Sequence, residues 1–294
     1  MSSVSQAFPR ALSPSRANDF QTCPLLFRLR SIDRLPEPPS AAAVRGTLVH
    51  EVLERMFDLP ATERSIESTK ALVSQAWLRL AAADADAATS LMVDAKLDGS
   101  GGDAAHFADA MVKRIQPLLE TYFTLEDPSR LEPHAREVAI SVEIAEGFTI
   151  RGFIDRVDKA PAGQIRIVDY KTGRAPRAGF ESKPMFQMRF YALAWWRLTG
   201  EIPAMLQLLY LGSKETLRYE PDEQDLLNTE QKILSIRSRI QAAVVEGFTP
   251  TPSKLCSWCS YQHLCPAYGG TPPALPPHDS WESIAFESAQ VDET

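Results

Sequence analysis

Asp169 and Lys171 stand two positions apart in the segment IVDYKTG, directly after two apolar residues. In a β-strand, side chains at positions i and i+2 lie on the same face, so the acid and the base point the same way. The earlier segment GFIDRVD supplies a second acid, Asp155, and the turn APAGQ would set the two strands side by side. Two carboxylates held close together repel each other unless a cation lies between them. The spacing therefore predicts a Mg²⁺ site, with Lys171 placed to orient a water molecule or to neutralise a phosphate.

The alternative is an exposed hairpin in which Asp169 and Lys171 form a surface ion pair, which contributes only about 0–1 kcal/mol. Because an Asp-x-Lys tripeptide is common, it does not decide the question alone. Three further residues bear on it. His50 in GTLVHEVLE lies on the flank of a helical pattern, and Gln187 and Tyr191 in QMRFY are four positions apart, on one helical face. Each of these could equally be an ordinary polar or packed residue of a helix.

Four cysteines form a second group of residues that could bind a metal. Cys256, Cys259 and Cys265 lie together in CSWCSYQHLC, and Cys23 lies near the other end of the chain, before a proline. Zinc and iron–sulfur clusters both take four thiolates, and His263 could replace one sulfur at a zinc site. The spacing alone does not choose between the two.

Hydrophobic periodicity predicts the elements that must position these residues. Helical spacing covers the N-terminal segment and residues 45–57, 61–126, 183–200 and 222–246, and alternation predicts strands within 137–159, 165–173 and 204–213. This order predicts an α/β or α+β fold, of which α/β is preferred, in one domain over residues 1–270 with a helical insertion at about 60–130. Residues 271–294 are acidic and proline-rich, which predicts a disordered tail.

Composition sets weaker limits on function. The 294-residue chain is 44% hydrophobic and carries a net charge of −7, which argues mildly against a nucleic-acid partner. Five of the negative charges lie in the last 24 residues, however, and total charge says little about a local patch. The sequence shows no apolar run long enough to span a membrane and no signal-peptide pattern, so we expect a cytoplasmic protein.

Taken together, the order of these motifs resembles the RecB-type family of PD-(D/E)xK exonucleases, over about residues 12–268. A restriction-endonuclease-like core is implied. The resemblance implies Asp155, Asp169, Lys171, Gln187 and Tyr191 as catalytic residues. It implies His50, Asp155, Asp169 and the main-chain carbonyl of Tyr170 as ligands of Mg²⁺ or Mn²⁺. An additional upstream acid is expected, and Glu137 is preferred to Glu143.

The cysteine pattern is similar to an iron–sulfur subgroup of these nucleases, which includes AddB and the CRISPR-associated adaptation nucleases. The resemblance implies that Cys23, Cys256, Cys259 and Cys265 hold a 4Fe–4S cluster. Such a cluster would join residues 20–30 to residues 254–268 as a structural staple. It would close a loop spanning most of the domain, which constrains the unfolded chain.

The function implied is a metal-dependent DNA nuclease, acting as a stand-alone exonuclease on single-stranded DNA or DNA ends in repair or recombination. A helicase or another repair protein is a possible partner, because the sequence contains no helicase motif. The nucleic-acid-binding candidates are Arg16, Arg28, Arg45, Arg174 and Arg189. Two alternatives are a non-catalytic nucleic-acid-binding subunit and a CRISPR spacer-acquisition nuclease. The first would be expected to lack an acid or the lysine, and Asp155, Asp169 and Lys171 are all present.

Overall fold

The protein is described from a computed structural model, for residues 10–97, 104–177, 179 and 181–277. Six strands and eight α-helices are present in this part of the chain, with short 3₁₀ and π turns between them. In chain order they are β1 (Ala11–Leu12), α1 (Pro14–Thr22), α2 (Pro24–Phe27), α3 (Ala41–Met56), α4 (Ile66–Ala83), α5 (Ala85–Asp94), α6 (Ala104–Leu125), β2 (Ala135–Ala145), β3 (Phe148–Lys159), β4 (Ile165–Lys171), α7 (Ser182–Thr199), β5 (Met205–Tyr210), β6 (Glu215–Tyr219) and α8 (Glu223–Glu246).

The strands form one mixed sheet in the order β1-β3-β4-β5-β6, with β2 also paired to β3. The β2–β3, β3–β4 and β5–β6 pairs are antiparallel, whereas β1–β3 and β4–β5 are parallel. The crossover between the parallel strands β4 and β5 is α7, which follows the usual rule for such connections. The prediction of an α/β fold is confirmed.

Each face of the sheet carries its own hydrophobic core. One core contains residues of α1, α7 and α8 together with the side chains that β2, β3 and β4 direct towards them. The other contains residues of α3 to α6 and, from the sheet, Val168, Tyr170, Leu209 and Leu211. The predicted helical segment between α3 and β2 is therefore an integral layer, because it covers one face of the sheet.

Local sequence signals explain where the main helices begin and end. The Ser40 side chain accepts a hydrogen bond from the Ala43 backbone at the start of α3. Asp222 and Asp225 form a capping box at the start of α8. Gly200 ends α7 with φ 78°, a left-handed conformation that glycine adopts at little cost.

The N-terminal and C-terminal segments pack against each other. Leu25, Leu29 and Tyr261 form a third, small hydrophobic cluster, against which Cys23, Cys259 and Cys265 are partly buried. The Tyr261 hydroxyl donates a hydrogen bond to the Leu35 carbonyl at 2.8 Å. This packing brings the two ends of the described chain together.

The predicted elements agree with this structure in most places. Glu146 and Gly147 form the short connection between β2 and β3, and the strands β1 and β6 were not predicted. Residues 98–103 of the predicted helical insertion and residues 278–294 of the acidic tail lie outside the described residues. None of the described helices is both long and apolar enough to cross a membrane.

Candidate active site

The side-chain alternation of β2 and β3 is interrupted at one level of the sheet. Ile154 and Val157 pack into the same core although they are three positions apart, which regular alternation would not allow. On β2, Glu137 adopts φ 45°, and the residues on either side of it are paired with β3 while Glu137 is not. A left-handed conformation is unusual for glutamate and costs conformational energy. The interruption turns Glu137 and Asp155, which lie opposite each other, towards α3.

His50, Glu137 and Asp155 meet at this interruption. One potential ligand atom from each lies within 4.8 Å of the other two. The His50 Nδ1 atom is 3.4 Å from Asp155 Oδ1, and its Nε2 atom is 2.9 Å from the Tyr170 carbonyl oxygen, to which it can donate. A cleft of about 470 Å³ opens beside His50 and Glu137. Two carboxylates, an imidazole and a main-chain carbonyl are a donor set that suits a small divalent cation.

The protonation of these groups reflects the crowding of negative charge. Burial alone would lower the pKa of His50, but its hydrogen bond to Asp155 and the nearby acidic charges raise that pKa to about 9. Burial, followed by the charge of Asp155, raises the pKa of Glu137 to about 7. Both groups thus tend to hold a proton near neutral pH, and bound protons compete with a cation for the same atoms.

Asp169 and Lys171 lie at the end of β4, on the face covered by α7. The Lys171 Nζ atom is 2.7 Å from Asp169 Oδ2 and donates a hydrogen bond to Gln187 Oε1 at 2.9 Å. The Gln187 amide donates to Asp169 Oδ1 at 3.1 Å and to the Tyr191 hydroxyl at 3.2 Å. Burial, followed by the charge of Asp155, raises the pKa of Asp169 to about 6. The network fixes the lysine ammonium beside the carboxylates.

The two groups of residues are joined through the backbone of β4. The Tyr170 N–H donates to Asp155 Oδ2 at 2.7 Å, so Asp155 lies between the strands where β3 and β4 separate. The predicted residues His50, Asp155, Asp169, Tyr170, Lys171, Gln187 and Tyr191 are therefore neighbours. Asp169 lies outside the group of three potential ligands, and Glu137 takes the third position in it. The buried Asp169 Oδ2 atom, despite its ion pair, accepts no hydrogen bond of good geometry from the described residues.

Gly152 makes room for Tyr191. A Cβ atom added at Gly152 would lie 2.6 Å from Cε1 of the tyrosine ring, closer than such contacts allow. The glycine in GFIDRVD therefore permits the close packing of α7 on β3 that holds Tyr191 against Gln187. Sequence periodicity gave no sign of this contact, because it depends on how a helix lies on the sheet.

Behind the site, Arg156 is fully buried in a polar network that links the helical layer to the strands. Its guanidinium donates to both oxygens of Glu126, at 3.0 and 2.8 Å, and to the Tyr170 hydroxyl at 2.7 Å. Asp158 lies 3.0 Å from Arg156 Nε. Sequence reasoning found no chemical role in residues 61–126, yet α6 and the residue after it supply Tyr122 and Glu126 to this network.

The five predicted nucleic-acid-binding arginines have different surroundings. Arg28 pairs with Asp33 at 3.1 Å and donates to the Pro273 carbonyl, so it helps to hold the terminal segments together. The Arg189 guanidinium lies 4.4 Å from the centre of the Tyr219 ring. Arg45 is half-buried on α3, Arg174 is exposed beyond the end of β4, and Arg16 lies in the first turn of α1.

The four cysteines Cys23, Cys256, Cys259 and Cys265 are all free thiols and line one cavity between the terminal segments. The Thr251 amide donates to Cys23 Sγ at 3.4 Å, and the Ser253 amide donates to Cys256 Sγ at 3.2 Å. The second of these bonds lowers the pKa of the Cys256 thiol.

Comparisons with known proteins identify the family of this chain. A family model described as the PD-(D/E)XK nuclease superfamily matches residues 11–266. The Gene 69 protein of Mycobacterium phage D29 is 25% identical over 275 residues, which cover 87% of this chain and 96% of that protein. The Gene 69 protein of Mycobacterium phage L5 is 30% identical over 141 residues, covering 46% of this chain and 45% of that protein. Among solved structures, a candidate exonuclease from Eubacterium rectale is similar with a TM-score of 0.48 and 14% identity, over 89% of this chain and 92% of that one.

Proposed function

Because this chain belongs to the PD-(D/E)XK nuclease superfamily, we propose that it is a metal-dependent deoxyribonuclease that removes nucleotides from single-stranded DNA or DNA ends. The observation that carries the proposal is the meeting of two groups of side chains. His50, Glu137 and Asp155 form a potential cation site, and Lys171 is held beside it by Asp169 and Gln187. An exposed pair of Asp169 and Lys171 would not explain why Asp169 is almost fully buried.

The donor set fits a divalent cation such as Mg²⁺ or Mn²⁺. His50, Glu137, Asp155 and the Tyr170 carbonyl would hold it, and Asp169 has a buried oxygen without a hydrogen bond that could join them. When bound, the cation supplies Lewis-acid stabilisation of the charge that develops on the phosphate oxygens.

Lys171 supplies the remaining positive charge and an N–H donor. Its ammonium is aimed by Asp169 and Gln187, so it can orient an attacking water molecule or stabilise a phosphate oxygen without first losing conformational freedom. Gln187 is itself held by Tyr191. We assign Gln187 and Tyr191 to positioning Lys171, with no requirement that either contact DNA.

We further propose that the four cysteines hold a 4Fe–4S cluster. They line one cavity whose other walls include Leu25, Leu26 and Leu29, and amide groups donate to two of the sulfurs, as they do to the sulfurs of iron–sulfur clusters. A single zinc ion would need its sulfurs about 2.3 Å from one metal. Among the described residues, the one set of three potential ligand atoms that lie within 4.8 Å of one another contains no cysteine, so no three of the cysteine sulfurs are that close together. Sulfurs spaced more widely than this suit the separate iron atoms of a cluster better than a single zinc ion.

The nuclease proposal is tested with end-labelled single-stranded and double-stranded DNA, with and without Mg²⁺ or Mn²⁺, using protein purified without oxygen. Asp169→Ala and Lys171→Ala should each lower the cutting rate by roughly 100-fold or more. Lys159→Ala is the matched control, because Lys159 is exposed at the far end of β3. Equal cutting by the wild type and both site variants would show that a contaminant is responsible and would refute the proposal. Release of mononucleotides from an end identifies an exonuclease, whereas internal cuts would contradict that part.

A further inference from the structure

A cavity of about 340 Å³ lies where the first turns of α7 meet α1, α8 and the loop that leads into the cysteine turn. Lys183 of α7 and Lys232 of α8 line it, together with uncharged polar side chains that include Asn18, Gln21 and Ser182. None of the described residues that line it is acidic, and it shares no lining residue with the cleft of the candidate active site. A cavity with two positive charges and no negative charge suits an anion.

The two lysines that line the cavity have no counter-charge among the described residues. The Lys183 ammonium donates a hydrogen bond to the Thr22 hydroxyl at 3.2 Å, and the Lys232 Nζ atom lies 4.6 Å from the centre of the Phe186 ring. Within the described part of the chain, neither ammonium lies within 4.0 Å of a carboxylate oxygen. Burial, followed by the charge of Arg189, lowers the pKa of Lys232, so another cation acts on this lysine.

The acidic residues next to the cavity walls in sequence are engaged elsewhere. Asp19 forms an ion pair with Arg30 at 2.8 Å, and the Glu181 carboxylate accepts a hydrogen bond from the Gly179 amide at 2.8 Å. Exposed lysines are common on proteins and need no ligand when they stand alone. Two lysines that face one cavity from different helices repel each other, however, and an anion between them would remove that repulsion.

We propose that this cavity, the Lys183–Lys232 cavity, binds a phosphate monoester, the group found at a phosphorylated DNA end and on a free nucleotide. A phosphate monoester carries a charge of about −1.5 to −2 at pH 7, which two lysines balance. Each phosphate inside a DNA strand carries a single negative charge and matches the pair of lysines less well. The side-chain amides and hydroxyls of the walls supply further hydrogen-bond donors for the phosphate oxygens.

The Lys183–Lys232 cavity lies near the candidate active site along α7. Lys183 is one helical turn before Gln187, so the two residues lie on the same side of the helix, about 6 Å apart along its axis. Gln187 in turn accepts a hydrogen bond from Lys171. A DNA end held in the cavity would therefore place the adjoining strand near the proposed active site. This DNA-end source rests on the proposed function, whereas the binding of a phosphate monoester does not.

Binding is measured by isothermal titration calorimetry in EDTA, on the full chain with Lys171→Ala, so that neither a cation nor Lys171 holds the phosphate. The titrants are inorganic phosphate, thymidine 5′-monophosphate and thymidine, and only the first two should bind. Lys183→Gln and Lys232→Gln should each weaken binding by roughly 10-fold or more, because each removes a charged hydrogen-bond donor. The matched control is Lys113→Gln, an exposed lysine of α6 on the other face of the sheet, which should bind like the parent.

A second measurement distinguishes the two sources of the phosphate. Fluorescence anisotropy compares internally labelled single strands that carry a 5′-phosphate, a 3′-phosphate or two hydroxyl ends, in the same Lys171→Ala protein. Tighter binding of one phosphorylated strand, lost in Lys183→Gln, identifies a DNA end as the ligand. Equal binding of the three strands, with thymidine monophosphate bound in the calorimeter, identifies a free nucleotide.

Three outcomes would overturn the proposal. The first is that neither inorganic phosphate nor thymidine monophosphate binds and no phosphorylated strand binds more tightly than the hydroxyl strand. The second is that thymidine binds as tightly as its monophosphate, and the third is that Lys113→Gln weakens binding as much as Lys183→Gln. Because neither measurement involves cutting, such a failure is separate from that of the nuclease proposal, which depends on cutting by the wild type and its loss in Asp169→Ala.

Discussion

At the scale of single residues, the site is a concentration of acidic groups. Burial and then the charge of Asp155 raise the pKa of both Asp169 and Glu137, and the positive charges near them are Lys171 and protonated His50. His50 in particular donates to the Tyr170 carbonyl and faces Asp155, as a cation would. Protons on these groups therefore compete with a divalent ion for the same atoms.

This arrangement predicts how stability depends on pH. The folded-state pKa values are raised to about 6 for Asp169, about 7 for Glu137 and about 9 for His50. A group whose pKa is raised by folding stabilises the folded state fully at pH values below its unfolded-state pKa. That contribution is lost as the pH rises through its folded-state pKa. In EDTA, these groups should therefore stabilise the protein progressively less between about pH 4 and pH 9.

Mg²⁺ should act in the opposite direction, because it binds the deprotonated groups. We expect the rise in thermal unfolding midpoint on adding Mg²⁺ to be larger at about pH 8.5 than at about pH 6. The measurement is a thermal melt at both pH values with Mg²⁺ or EDTA. Glu137→Gln is the matched variant, and its Mg²⁺ effect should be smaller at the higher pH. A Mg²⁺ effect that is the same at both pH values in the wild type would contradict this account.

The sequence revealed most of these residues because their signals are local. Asp169 and Lys171 are two positions apart on a strand, and Gln187 and Tyr191 are one helical turn apart, so a short segment contains each pair. Glu137 could be preferred to Glu143 only weakly, since its placement depends on a left-handed backbone conformation that no residue type announces.

At the scale of elements, the buried network around Arg156 determines how the helical layer meets the strands that carry the site. Arg156 follows Asp155 directly, and its guanidinium contacts the hydroxyl of Tyr170, whose carbonyl and N–H belong to the site. Glu126, just beyond α6, supplies the balancing charge. Sequence reasoning could not find this network, because its members come from distant segments and show no shared periodicity.

Removing one partner of this network should destabilise the protein strongly. Arg156→Met leaves the buried Glu126 without its closest counter-charge, because Arg166 is 3.5 Å away, so we expect a loss of about 3–5 kcal/mol in the free energy of unfolding. Glu126→Leu should also destabilise, whereas the double variant should be more stable than the sum of the two losses predicts. Urea unfolding of the four proteins measures this coupling. Strictly additive losses would show that the two side chains do not interact as described.

At the scale of the whole molecule, the sequence predicted the class of fold and the helical segment at about residues 60–130, whereas the meeting of the chain ends was implied only by the resemblance. Periodicity marks helices and strands because burial repeats along each element. The packing of Tyr261 on Leu25 and Leu29 joins segments from opposite ends of the chain, which periodicity cannot detect. The cysteines gave a hint of this contact only through the resemblance. The Arg28 contact to the Pro273 carbonyl, which also joins the ends, had no signal in the sequence.

The proposed cluster gives this meeting of the ends a testable energetic role. Closing a loop that spans most of the chain removes much of the entropy of the unfolded state, whereas the small cluster around Tyr261 buries little apolar area. Cys256→Ser should therefore remove the bound iron and the visible absorbance, and it should speed hydrogen exchange in α1 and α2. Ser257→Ala, in the same 3₁₀ turn, should keep both the iron and the protection.

A second variant separates the cluster from simple packing. Tyr261→Phe loses only the hydroxyl bond to the Leu35 carbonyl, so we expect it to keep its iron and to lose about 1 kcal/mol of stability. Iron and sulfide analysis of protein purified without oxygen decides the identity of the metal. One zinc per chain in that protein, or full protection of α1 and α2 in Cys256→Ser, would refute the staple. Loss of the staple should leave Mg²⁺ binding in place, because the candidate cation site of His50, Glu137 and Asp155 belongs to α3 and the sheet.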